Sequence, residues 1–125
     1  MPSYKIKHVD GRRSRGGTSP SWSKDGKAWR SRASLRIHLT QVYDEWLNYL
    51  RMGRDTPFPY ADCVIEVLEV TSTIEINPEA HLARRMREVQ DSEINATHRG
   101  RPLNSWDVSS KEAIIKARKT LGIAE

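Results

Sequence analysis

Cysteine occurs once in the 125 residues, at Cys63, which excludes an intramolecular disulfide framework and any cysteine-based zinc cluster. Phenylalanine also occurs once, and the AVILMFWYC set supplies only 37% of the chain, with a mean hydropathy of −0.71. A core therefore has to draw on the four tryptophans and four tyrosines. No apolar run approaches the ~18 residues of a membrane helix, so an integral helical membrane protein is excluded. Residues 1–26 hold no apolar stretch of the secretory kind, and the expected setting is a reducing cytoplasm. The length suits one small domain over residues 1–125.

What the chain has is charge, unevenly spread. Ten basic and two acidic residues give residues 1–36 a net +8. Residues 37–78 come to −5 and residues 79–125 to +2, which together make the total of +5. A +8 segment beside a −5 segment produces a dipolar field able to steer a polyanion to one end. The same pattern also fits two lobes that neutralise each other, within the fold or across a self-association contact.

Tyr4, Ile6 and His8 alternate with Lys5 and Lys7, the period of a half-buried strand. Asp10-Gly11 marks a turn, and residues 12–21, nearly devoid of apolar side chains, read as a mobile loop. Asp25-Gly26 suits a type I′ hairpin that would set Trp22 opposite Trp29. Leu35, Leu39, Val42, Trp46 and Leu50 then share one face of a helix of about 17 residues, capped by Ser34 or Ser31 and closed at Gly53. Pro57 and Pro59 enforce a connection.

Residues 63–76 read as one long strand, with a bulge or bend near Val67-Leu68 where the pattern changes phase. Asn77-Pro78-Glu79 predicts a helix start with Asn77 as cap, continuing to about Gln90. Residues 91–104 read as a second mobile loop, and Ser109-x-x-Glu112 as the capping box of a last helix. The expected fold class is α+β. A small antiparallel sheet, built from the N-terminal strand, the Trp hairpin and the long Val/Ile/Glu strand, is packed by about three helices.

The block Gly16-Gly17-x-x-Pro20-x-Trp22-Ser23-Lys24-x-Gly26-Lys27-x-Trp29, followed by Leu35-x-x-His38-Leu39, resembles a pattern in small uncharacterised bacteriophage and prophage proteins. The likeness covers roughly residues 3–76. It departs at Ala33-Ser34, where the pattern often carries a glycine. The resemblance implies a phage-type gene product acting in a bacterial host cytoplasm, and no catalytic residues come with it.

The strongest candidate chemistry is anion binding. Arg12, Arg13, Arg15, Lys24, Lys27, Arg30, Arg32 and Arg36 crowd one segment, and Trp22 and Trp29 lie among them as candidates for stacking on a base. The two indoles fit better a core that ties hairpin to helix, with a solvated basic rim around them. Arg84 and Arg85, with Arg87 nearby and Arg99 and Arg101 beyond, make a second basic area or the solvated face of a helix. No helix-turn-helix, RRM, KH or zinc-finger spacing is present.

The four histidines are scattered without metal-ligand spacing, and His38 reads as a buried, hydrogen-bonded imidazole. Cys63 reads as a small core residue, and Gly16-Gly17 lacks a nucleotide-loop frame. Glu69 and Glu75 fit the polar face of a strand rather than a catalytic pair. No catalytic constellation, metal site or cofactor is expected. The leading expectation is a non-enzymatic accessory protein binding nucleic acid or nucleotide through its basic N-terminal region. The alternative is an inhibitor or adaptor of a host protein.

Overall fold

The computed structural model describes residues 3–19, 21–70, 72–102 and 104–123. Its elements run β1 (Tyr4–His8), β2 (Arg13–Ser14), β3 (Trp22–Ser23), α1 (Arg32–Arg51), β4 (Cys63–Val67), β5 (Ser72–Glu75), α2 (Glu79–His98) and α3 (Ser105–Thr120). All strands pair antiparallel in the order β3-β2-β1-β4-β5, an α+β fold. The chain divides into two compact units. The first comprises Met1–Glu45 and Phe58–Asn77, the second Trp46–Pro57 and Pro78–Glu125. No helix among the described residues is long and apolar enough to cross a membrane.

The first unit is built on β1, whose alternation buries Tyr4 and Ile6 and leaves Lys5 and Lys7 on the open face. Tyr4 pairs with Val67 and Ile6 with Ile65, so apolar side chains from β1 and β4 share the buried face. Leu35 and Val42 of α1, with Trp29, Tyr43, Phe58 and Tyr60, complete this core. Ser31 Oγ accepts the backbone N–H of Ser34 at 3.1 Å and serves as the α1 cap.

In the second unit, Trp46 and Leu50 continue the apolar stripe of α1, and Trp46 Nε1 donates to the carbonyl of Thr56 at 2.8 Å. Leu82 and Val89 of α2 and Ala113, Ile114 and Ala117 of α3 are buried. Lys111 on α3 bonds Glu93 on α2 at 2.7 Å.

Several sequence expectations are corrected here. Trp22 does not face Trp29: Ser14 pairs with Trp22, while Trp29 exchanges both backbone hydrogen bonds with Tyr4 at 2.8 Å. Gly26 alone of the Asp25-Gly26 pair has positive φ, so no type I′ turn forms. The segment 12–21, expected as loop, supplies β2 because Arg13 and Ser14 find partners on β1 and β3. The single strand expected over residues 63–76 is a hairpin, β4 turning into β5 with Val67 opposite Ser72. The phase change at Val67-Leu68 thus marks the turn itself.

Residues 91–98, expected as loop, continue α2, where Glu93 pairs with Lys111 of α3. Pro78, rather than Asn77, holds the cap position of α2. Helix α3 starts at Ser105 under an Asn104 cap, whose side chain accepts the Asp107 N–H at 2.8 Å. Ser109 lies inside the helix and donates back to the carbonyls of Ser105 and Trp106.

Candidate anion-binding surface

Beneath the basic segment runs a chain of buried polar groups. The Gly16 N–H donates to Ser14 Oγ at 3.1 Å, Ser14 Oγ lies 2.9 Å from Tyr60 Oη, and Tyr60 Oη lies 2.5 Å from His38 Nε2. Ser14, Tyr60 and His38 are 0%, 1% and 7% exposed, and among the described residues no buried side-chain polar atom lacks a partner. Ser14 accepts from Gly16 and keeps both a proton and a second lone pair for Tyr60, so the three side chains form one continuous hydrogen-bonded chain whose direction follows the tautomer of His38. Burial, assisted by the nearby charge of Lys27, holds the His38 pKa down at about 4, so the ring is neutral at physiological pH. Burial likewise raises the Tyr60 hydroxyl to about 12. The chain's chemistry is that of a fastener, pinning β2 to α1 and to the segment before β4.

The eight cations of residues 12–36 divide into two groups. Arg12 closes on Asp10 through Nε and Nη2 at 2.9 and 2.8 Å, and holds that carboxyl down at about 2. Arg13 is half-buried, with Nε 2.7 Å from Glu66 Oε1 and Nη1 donating to the Lys24 carbonyl at 2.9 Å. These two are spent internally. Arg15, Lys24, Lys27, Arg30, Arg32 and Arg36 are exposed and form no ion pair among the described residues. Arg32 Nε donates to Tyr4 Oη at 3.3 Å, and Lys27 Nζ stands 5.5 Å from the Trp29 ring centroid. Between residues 14 and 36 these six cations meet one carboxylate, Asp25.

Backbone bonds gather part of this set. The Arg15 N–H donates to Ser21 O and the Lys27 N–H to Ser14 O, both at 2.8 Å, so Arg15, Lys24 and Lys27 border the outer edge formed by β2 and β3. Trp29 is 4% exposed and stacks on His38 at 4.6 Å, which removes it as a base-stacking platform. Trp22 is half-buried, edge-on to His8 at 5.5 Å and to Tyr60 at 6.0 Å.

No protein-family model, curated protein or solved structure matches the chain.

The remaining arginines belong to the second unit. Arg84 donates to His81 Nδ1 at 2.9 Å, and Arg85 bonds Glu88 at 3.0 Å. Arg99 and Arg101 are exposed and line a cleft between the end of α2 and the start of α3. Among the described residues no three His, Cys, Asp or Glu side chains group to hold a metal. Cys63 is buried, and that burial pushes its thiol up to about 11, the opposite of nucleophilic activation. Nothing in the sequence near Ser14 or Tyr60 marks them as partners, 46 positions apart.

Proposed function

We propose that the chain is a non-enzymatic, phage-type accessory protein that binds an anionic partner, a nucleic acid, through the basic segment of its first unit. One observation carries this reading: six of the eight cations of residues 12–36 are exposed and form no ion pair among the described residues, whereas Arg13 is taken up by Glu66 of the acidic middle third. A cluster left free of its own acids is a surface on which phosphates can replace condensed counterions.

The test is binding of a labelled oligonucleotide across a salt series. Six phosphate contacts give a slope of log K against log salt of about −4 on a single strand and about −5 on a duplex. Substituting Arg15, Lys27 and Arg30 together by Gln should weaken binding and flatten that slope, while Arg12→Gln should change it little. Salt-independent binding, or a triple variant that binds like the parent, overturns the reading. That outcome would favour the alternative of an inhibitor or adaptor docking on a host protein.

A further inference from the structure

The second unit contains a cleft of about 470 Å3 between the end of α2 and the start of α3. That volume lies within the roughly 300–1,000 Å3 usual for small-molecule sites. Arg99 and Arg101 line it, both exposed and neither ion-paired among the described residues. The backbone around them is tightly closed: the N–H groups of Arg99, Gly100 and Arg101 donate to Asn95 O, Thr97 O and Ala96 O at 3.1, 3.1 and 2.8 Å. Three of the last four carbonyls of α2, which would repel an anion, are thereby engaged.

The rest of the lining is of different chemistry. Asn95, Ser92 and the Asp107 carboxylate border the same cleft, and the Asn104 side-chain oxygen is already occupied by the Asp107 N–H, leaving its amide as a donor. Two guanidiniums suit a phosphate, which they bind in bidentate fashion. The carboxylate of Asp107 opposes a bare phosphate but accepts hydrogen bonds from hydroxyl or ring N–H groups. A ligand that satisfies both is a phosphate attached to a group rich in donors.

We infer that this cleft is a second site, separate from the basic surface of the first unit, and that it takes a nucleoside phosphate. The phosphate lies on Arg99 and Arg101, and the ribose or base lies toward Asp107 and Asn95. None of its residues belongs to the surface proposed above for nucleic acid.

The experiment titrates the full chain with adenosine or guanosine monophosphate, the matching nucleosides and inorganic phosphate, read by calorimetry and by the amide resonances of residues 92–107. The monophosphate should bind more tightly than either fragment and shift those resonances. Arg99→Gln with Arg101→Gln should weaken it by about tenfold or more. Asp107→Asn should move the two ligands oppositely, weakening the monophosphate and tightening inorganic phosphate. Substituting Arg15, Lys27 and Arg30 by Gln should leave monophosphate binding unchanged, so failure of either proposal is separable from failure of the other. Inorganic phosphate binding as well as the monophosphate would overturn the inference. So would affinity that survives loss of both arginines, affinity that disappears with the first-unit triple variant, or no binding at millimolar ligand.

Discussion

Arg13 reaches from β2 across β1 to Glu66 on β4, with Nε 2.7 Å from Oε1 and Nη2 3.4 Å from Oε2. The Arg13 hydrogen bond holds the Glu66 carboxyl below the ordinary carboxylate range, against the opposing pull of burial. A lowered carboxylate pKa stabilises the fold above the usual range, and that contribution is lost as pH falls through the folded-state value. Glu66→Gln should therefore lower unfolding free energy by about 1 kcal/mol at neutral pH, with a smaller loss at acid pH. A denaturant series at two pH values measures this. Arg13→Gln should leave oligonucleotide affinity nearly unchanged, since that charge is already spent.

His38 should titrate with a midpoint near 4, followed through its ring proton shifts. Because the folded-state value lies below the ordinary 6.5, the unfolded chain binds more protons between those pH values. Stability is full above pH 6.5 and declines by on the order of 3 kcal/mol as pH falls toward 4. His38→Gln should remove most of that slope. A midpoint above 6 would contradict the buried, neutral imidazole.

Two glycines separate backbone strain from crowding. At Gly26, φ is +67° and an added Cβ would lie 2.5 Å from Arg13 Cβ and 2.8 Å from Ser14 O. At Gly17, φ is +85° with nothing within 4 Å. Gly17→Ala should cost about 1 kcal/mol, from the left-handed conformation alone. Gly26→Ala should cost at least about 1 kcal/mol more, because β2 must shift. Thermal denaturation of the two variants, compared side by side, tests the difference.

Cys63 should resist alkylation in the folded protein at pH 8, its thiol being buried and raised to about 11. Urea should expose it and bring the rate to that of a free cysteine. Prompt labelling without denaturant would show that the start of β4 opens readily.

Elements whose pattern is local were legible from the chain alone. The alternation of Tyr4, Ile6 and His8 marked β1, and the stripe from Leu35 to Leu50 marked α1 with Ser31 among its caps. Side-chain period is a property of neighbouring residues, so it survives without tertiary information. The Trp hairpin failed for the complementary reason. Asp25-Gly26 favours a turn locally, but the Trp22 backbone is claimed by Ser14 in a competing hairpin and the Trp29 backbone by Tyr4, far earlier in the chain.

Residues 91–98 misled in another way, since small and charged side chains give no apolar period and yet pack as helix once Lys111 stands opposite Glu93. The cation surface shows the same division. Composition alone set the excess of positive charge before residue 37. Which of those charges stay available was decided by the fold, because strand order, and not proximity in the chain, brings Glu66 to Arg13 across 53 residues and leaves Arg15, Lys27 and Arg30 without an ion-pair partner among the described residues.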